Sequence, residues 1–310
     1  MNVFLTRQIP AEALEILQKT CRQLEVADSE IPLTIERLQT GARGRDGILI
    51  MGNDRADAAL FDAAGNQLRC ISNFSVGTNN IDIAEATRRR ITVTNTPGVL
   101  TETTADLTWA LLLAVTRRIV EGDRFARSGS WRGWTPTQFL GADISGKTLG
   151  IVGAGRIGTA VAKRAAGFNM RVLTFTSRNT RVEFETLLRE SDFITVHVPL
   201  TPATKHLFGE KEFLLMKPTA YFINVARGPV HDEAALVNAL RQNRIAGAGL
   251  DVFEEEPKIH PGLLDLENVV LIPHLGSATI ETRRRMAIMA AENLISVLAG
   301  RPCPNIVNPL

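Results

Sequence analysis

Cysteine is scarce in this chain: Cys21, Cys70 and Cys303 are the only three in 310 residues. They lie far apart with no C-x-x-C spacing, which argues against a structural metal and for a reducing, cytoplasmic compartment. An excess of one charge is also lacking. Lys and Arg number 35 against 33 Asp and Glu, a formal net charge of +2, so the balance calls for neither nucleic acid nor an anionic membrane. The apolar stretch 107–115 is too short to span a bilayer, and the start Met1-Asn2-Val3-Phe4-Leu5-Thr6-Arg7 has no basic region followed by a long apolar segment. No repeat or low-complexity segment is present. The expectation is a soluble globular protein whose partner is a small molecule.

The length makes two domains the natural expectation. Short apolar runs at 3–5, 24–27, 47–51, 68–74 and 91–95 alternate with amphipathic segments at 11–19, 34–39, 56–63 and 81–90. Strands separated by helix-length segments predict βαβ units and a parallel sheet. The alternation resumes with strands at 148–152, 170–176, 193–198, 221–225, 247–252 and 269–272 and a helix at 233–242. A closing helix at 280–299 has no strand after it and is expected to return to the first domain. The predicted fold is therefore α/β, with two doubly wound parallel-sheet domains and a cleft between them. Turn chemistry at Pro97-Gly98 and at 276–279 sets the boundaries at 1–97 with 280–310, and 98–279.

Gly153-Ala154-Gly155-Arg156-Ile157-Gly158 follows the strand at 148–152 and opens the helical stretch 159–168. This is a dinucleotide-binding signature in its required setting. The first glycine permits a tight turn, the second lets backbone approach a pyrophosphate, and the third lets helix pack on strand. The helix N-terminus then favours the bound anion.

Three later segments place chemistry where a strand has just ended: Asn224-Val225-Ala226-Arg227-Gly228, Asp251-Val252-Phe253-Glu254-Glu255-Glu256-Pro257 and Ile272-Pro273-His274-Leu275-Gly276. With the glycine motif and Asn95-Thr96-Pro97-Gly98-Val99-Leu100-Thr101-Glu102, they carry a resemblance to the D-isomer-specific 2-hydroxyacid dehydrogenases that covers nearly the whole chain. Within that family the sequence is most similar to the glyoxylate and hydroxypyruvate reductases. The resemblance implies a Rossmann-type cofactor domain, a flavodoxin-like substrate domain, and Arg227, Glu256 and His274 as the catalytic set.

The required chemistry agrees with those residue types. Reducing a 2-keto acid takes a hydride from a nicotinamide, a proton for the developing alkoxide, and a cation that holds the carboxylate and polarises the carbonyl. His274 suits the proton, and Glu256 would keep it charged near neutral pH. The planar fork of Arg227 suits the carboxylate. The family likeness further implies substrate contacts from Val76 and Gly77 in Ser75-Val76-Gly77-Thr78, and Met51, at the end of another first-domain strand, is expected to line the same pocket. It implies cofactor contacts from Gly153, Gly155, Arg156, Ile157, Gly158, Thr104, Val198, Pro199, Thr204, Val225, Ala226, Asp251, His274 and Gly276. The apolar segment 107–115 and the loop that holds Trp131 and Trp134 resemble the family's dimerisation region, so a homodimer is expected.

NAD-specific dinucleotide folds place a carboxylate at the end of the second strand, about 20 residues past the glycines. Here that place reads Phe175-Thr176-Ser177-Arg178-Asn179. Nothing there repels a 2′-phosphate, and Ser177, Arg178 and Asn179 could bind one, so NADP(H) is expected over NAD(H). The segment 178–192 is shorter than in typical relatives, leaving room for 181–184 and one helix at 185–190 and putting the third strand in doubt. No metal is expected. The function read from the sequence is NADPH-dependent reduction of glyoxylate or hydroxypyruvate, giving the D-hydroxyacid where a stereocentre forms. The alternatives are a bulkier 2-keto acid such as phenylpyruvate, NAD-linked 3-phosphoglycerate oxidation, and a dinucleotide-sensing corepressor-like protein.

Overall fold

In the computed structural model, which describes residues 1–309, the chain divides into two units: Met1–Leu100 with Ala278–Leu310, and Thr101–Ser277. Both are parallel-sheet α/β structures.

In the first unit β1 (Asn2–Leu5), α1 (Ala11–Thr20), β2 (Gln23–Val26), α2 (Ile35–Ala42), β3 (Gly47–Met51), α3 (Ala58–Ala64), β4 (Cys70–Phe74), α4 (Ile83–Arg88) and β5 (Thr92–Thr94) follow in turn. The strands pair in the order β2-β1-β3-β4-β5, the flavodoxin-like arrangement. β3 is apolar almost throughout because both faces are covered. On one face Phe4, Ile48, Ile50, Ile71 and Val93 meet Leu38, Leu60 and Phe61. On the other, Val3, Leu5, Leu49 and Cys70 meet Ala287, Ala290, Leu294 and Leu298 of the closing helix, Ile280–Leu298. Side-chain caps start the helices: Thr34 accepts from Arg37 N, Asp57 from Ala59 N and Leu60 N, and Asp82 from Glu85 N. The register sets Met51 beside Phe74, so the loops after β3 and β4 leave the sheet together.

The second unit opens with α5 (Thr101–Thr116), which includes the apolar stretch seen in the sequence, and α6 (Ile119–Arg127). Then come β6 (Thr148–Val152), α7 (Arg156–Ala165), β7 (Arg171–Phe175), α8 (Arg181–Glu190), β8 (Phe193–Val196), α9 (Glu210–Leu215), β9 (Tyr221–Asn224), α10 (Glu233–Arg241), β10 (Gly247–Leu250), α11 (Pro261–Leu264) and β11 (Val269–Leu271). The closing helix is thus α12. The sheet order is β11-β10-β9-β8-β6-β7. β6 therefore lies at the point where successive strands depart to opposite sides, which is where such folds bind ligands.

Register aligns the strand ends along one edge: Phe175 with Val152, Val152 with Val196, Val196 with Asn224, and Asn224 and Leu271 each with Leu250. The glycine turn and all three chemistry-bearing segments consequently leave the sheet at that edge. The sheet is supported by packed aromatics, including Phe208, Phe213 and Phe222, whose ring centroids lie 4.9–6.1 Å apart.

The short 178–192 segment holds a single helix, and β7 is the outermost strand. α8 begins at Arg181 rather than near 185, because Thr180 and Glu183 form a reciprocal capping box.

In the first unit, buried Asp54 accepts from both terminal nitrogens of Arg7 (2.9 and 3.0 Å), from Thr6 Oγ1 and from Met51 N (2.8 Å). Asp54→Ala leaves the Arg7 charge buried without its counterion and is expected to cost roughly 3–5 kcal/mol. Urea unfolding measures this, and an unchanged midpoint would show that the pair is dispensable.

Candidate active site

The glycine turn fits a pyrophosphate for steric reasons visible residue by residue. Gly153 has φ +102°, and a Cβ there would lie 2.6 Å from the His197 carbonyl. A Cβ on Gly158 would sit 2.1 Å from Gly153 O, so only glycine lets α7 approach the turn this closely. Gly155, at the N-cap of α7, has nothing within 4 Å of its missing Cβ and no side-chain cap. The approach to the first-turn amides is thus open, as an anion requires. Arg156 is exposed beside it and Ile157 is half-buried.

Further along the edge, Thr204 Oγ1 donates to Pro199 O (2.6 Å) and accepts from Thr201 N (2.8 Å), which shapes the loop after Val198. At the end of β7, Asn179 is committed to its own turn. Its Oδ1 accepts from Thr176 N (2.7 Å), and its Nδ2 donates to Glu183 Oε1 (3.2 Å). Ser177 and Arg178 are exposed, and among the described residues Arg178 forms no salt bridge. Glu183 thus brings a carboxylate close to a segment that has none of its own.

The Arg227 segment is held by Asn224. Its Oδ1 accepts from Ala226 N (2.9 Å), and its Nδ2 donates to Arg227 O (3.0 Å) and to Nδ1 of His231 (3.0 Å). Val225 is buried and Ala226 half-buried within the same turn. A Cβ on Gly228 would fall 1.9 Å from the Phe253 carbonyl, so this turn lies directly on the segment that leads to Glu256. That segment is clasped in turn: Glu254 N donates to Glu233 Oε1 (2.8 Å), and Glu233 N to Glu254 Oε2 (3.0 Å). His206 Nε2 meets the other oxygen of Glu254 at 2.6 Å.

His274 Nδ1 lies 2.8 Å from Glu256 Oε2, and Glu256 Oε1 accepts from Phe253 N (3.1 Å). The imidazole is half-exposed, and among the described residues its Nε2 has no hydrogen-bond partner. His274 has φ +52°, a conformation costly for a residue with a Cβ. Asp251 enforces it. Its carbonyl accepts from His274 N (3.0 Å), and its carboxylate accepts from Leu275 N and from Gly276 N (2.9 Å). Thr104 Oγ1 completes the clamp by donating to Gly276 O (2.9 Å).

Two carboxylates in this region are driven in opposite directions. Burial pushes Asp251 up to about 6, despite the two amide donors and the nearby His274 charge. At Glu256 burial also raises the pKa, but the His274 hydrogen bond and charge, the Phe253 amide and Arg227 together outweigh it and hold the group below its ordinary value. Burial lowers Arg227, with Glu256 opposing. Carboxylates pushed apart in this way are characteristic of acid–base sites.

In the first unit, three successive carbonyls at the end of β4 are occupied from within the protein. Ser75 O accepts from Thr96 N (2.9 Å), Val76 O from Asn95 Nδ2 (2.8 Å) and Gly77 O from Asn73 Nδ2 (2.8 Å). A trans peptide points its N–H opposite its carbonyl. The amides of Val76, Gly77 and Thr78 therefore face away from these donors, and among the described residues none has a protein acceptor. Such a run of open amides suits an anion. Met51 lies alongside, its carbonyl accepting from Asn80 Nδ2 (3.2 Å).

Sequence reasoning did not find His231, the Glu233–Glu254 clasp, or the asparagines that fix these turns. The Glu233–Glu254 clasp and the Asn95–Val76 bond join residues 21 and 19 apart in the chain, beyond any local pattern.

A glycine turn that admits a pyrophosphate, sharing one sheet edge with a carboxylate-held imidazole and an arginine, is the layout of a nicotinamide-dependent oxidoreductase. Comparison with known proteins agrees. Residues 109–276 match the family model "D-isomer specific 2-hydroxyacid dehydrogenase, NAD binding domain". The glyoxylate reductase of Thermococcus litoralis is 50% identical, the match covering 99% of this chain and 96% of the relative. Among solved structures, the TT0316 protein from Thermus thermophilus superposes with a TM-score of 0.93 at 46% identity, over 99% of this chain and 100% of that one. An NADPH-dependent glyoxylate/hydroxypyruvate reductase from Sinorhizobium meliloti, in complex with NADP and malonate, gives 0.85 at 32% identity, over 99% and 96%. The chain belongs to the D-isomer specific 2-hydroxyacid dehydrogenase family. It is an NAD(P)-dependent oxidoreductase acting on the CH–OH group of 2-hydroxy acids.

Two buried imidazoles in this unit set an acid limit. Burial pushes His197 down to about 3 and His231 to about 4, from the usual ~6.5. An unfolded chain protonates both below ~6.5, whereas the folded chain does so only near its depressed values. Their contribution to stability is therefore present above pH ~6.5 and is lost as pH falls toward 4. His231→Asn should lessen the decline in unfolding free energy between pH 6.5 and 4.5. A decline as steep as the parent's would contradict a neutral buried His231.

Proposed function

We propose that this enzyme reduces glyoxylate or hydroxypyruvate to the 2-hydroxy acid, the D-isomer where a stereocentre forms, with NADPH preferred to NADH. The observation that carries the reading is the Glu256–His274 pair. Glu256 accepts the Nδ1 hydrogen of His274, leaving the exposed Nε2 to hold the proton that the developing alkoxide takes. Arg227 offers a fixed cation for the substrate carboxylate and carbonyl, and the open amides of Val76 and Gly77 offer uncharged donors to the carboxylate. Asp251, Thr104 and the glycine turn belong to cofactor binding and to the positioning of His274. The dinucleotide supplies the hydride when bound.

The names of relatives such as the Thermococcus litoralis glyoxylate reductase support a small 2-keto acid. The preference for NADPH is supported by exposed Ser177 and Arg178 and by the relative that binds NADP. Asn179 contributes through the turn it closes. Glu183 is the counter-argument, since its charge lies next to that turn.

A homodimer is part of the same proposal. Trp131 and Trp134 are 59% and 81% exposed, and α6 buries none of its residues. Sedimentation should give twice the chain mass, and a stable monomer would discard this part.

The direct test follows loss of NADPH and of NADH with glyoxylate, hydroxypyruvate and phenylpyruvate. The expected result is the highest kcat/KM for NADPH with one of the first two acids. Arg227→Ala should lower kcat/KM roughly 10²–10³-fold, the scale of losing one fixed donor to transition-state charge. Faster turnover with NADH would retire the role of Arg178, faster turnover with phenylpyruvate would replace the substrate, and undiminished turnover in R227A would remove Arg227 from the chemistry.

A further inference from the structure

We propose that Asn95 and Asn73 are positioning residues that aim the Gly77 and Thr78 amides, beside that of Val76, at the anionic end of the substrate. The inference rests on the reading above that open amides of this loop bind the carboxylate.

Neither asparagine needs to touch substrate. Asn95 Nδ2 holds Val76 O at 2.8 Å, and Asn73 Nδ2 holds Gly77 O at 2.8 Å. Because each peptide is planar, fixing the carbonyl fixes the opposed amide, here those of Gly77 and Thr78. Thr96 N fixes the third peptide through Ser75 O at 2.9 Å. An unheld loop could turn its peptides and present oxygens in place of amides. The two side-chain bonds remove that freedom before any ligand arrives, which is what preorganisation requires.

Each asparagine is itself held from outside the loop. Asn95 O accepts from Asn293 Nδ2 (2.9 Å) on α12, and Asn95 N donates to Asn305 O (3.2 Å). Asn293 Oδ1 in turn accepts from Asn305 Nδ2 (3.0 Å). Asn73 shares its Nδ2 with Asn80 Oδ1 (3.4 Å), and Asn80 Nδ2 reaches Met51 O and Asp54 O (2.9 Å). The relay thus runs from α12 through β5 on one side and from the Arg7–Asp54 pair through β3 on the other.

Two buried side-chain atoms at this loop are unsatisfied among the described residues, Thr96 Oγ1 and Asn73 Oδ1. Asn73 is fully buried, and its Oδ1 has no hydrogen-bond partner among the described residues. A buried polar atom without a partner costs stability. An apolar residue of similar size would avoid that cost but could not hold Gly77 O. A cost accepted at Asn73 while its Nδ2 holds Gly77 O fits a residue kept for what it orients.

The test compares Asn95→Ala and Asn73→Ala with the parent enzyme in steady-state kinetics with glyoxylate, in dinucleotide affinity by fluorescence, and in amide NMR shifts as oxalate is added. Each variant should raise KM for glyoxylate roughly 10- to 100-fold, the worth of a hydrogen bond to a charged group. Its kcat should stay within about threefold, one small step on the scale where tenfold is 1.4 kcal/mol, and dinucleotide affinity should not change. In the parent enzyme, oxalate should shift the Val76, Gly77 and Thr78 amides, and the same shifts should need correspondingly more oxalate in the variants. A rise in KM matched by an equal loss of dinucleotide affinity would mean general damage and overturn the proposal. So would parent-like KM in Asn95→Ala, whose half-buried site makes folding secure even if the buried Asn73 variant does not fold. If oxalate leaves the three parent amides unmoved while the enzyme turns over, the assignment of these amides to the carboxylate has failed, which is a different result from intact amides that need no asparagine.

Discussion

The carboxylate of Asp251 is the contact on which the geometry of the His274 segment depends. It lies at the end of β10 with no exposed surface, and it accepts the two amides that follow His274. Its own carbonyl accepts the amide of His274. A histidine at φ +52° would relax toward an ordinary conformation without such restraint, and with it the ring would leave Glu256. The energetic cost is visible in the upward pull on Asp251, whose charge is kept in a buried site by two backbone donors.

The same physical device recurs in both units. A polar side chain at or just beyond the end of a strand or helix captures the backbone of a neighbouring loop and so decides which groups the loop presents. Asn224 does this for Arg227, Asp251 for His274, Glu233 and Glu254 for the approach to Glu256, and Asn73 and Asn95 for the amides after β4. Parallel sheets make the device effective because all their loops leave one edge from rigid, buried strands. Loops that would otherwise be the most mobile parts of the chain are fixed by one or two hydrogen bonds each.

Much of this was legible from residue order. The glycines at 153 and 158 carry distinct steric duties that only glycine meets, Gly155 leaves the helix start open, and the neighbouring strand and helix identify all three. The three strand-end segments were found because the apolar runs 221–225, 247–252 and 269–272 are strongly patterned, although the strands themselves end at Asn224, Leu250 and Leu271. The start of α8 was misplaced although its signal was present, a threonine followed three residues later by glutamate. Asn179 looked like a free donor at the end of β7 and proved to be the residue that closes the turn.

The amino-acid order by itself determined the alternation of strands and helices and the glycine turn, because each depends on local backbone preference, whereas the arginine, glutamate and histidine were singled out by the resemblance to a known family. Only the tertiary structure decided which backbone amides are left open, which imidazoles stay neutral, and which of two neighbouring carboxylates rises and which falls. Those properties come from burial and from hydrogen bonds between residues as far apart as Asn95 and Asn293, and no local pattern encodes a partner that folding alone brings within reach.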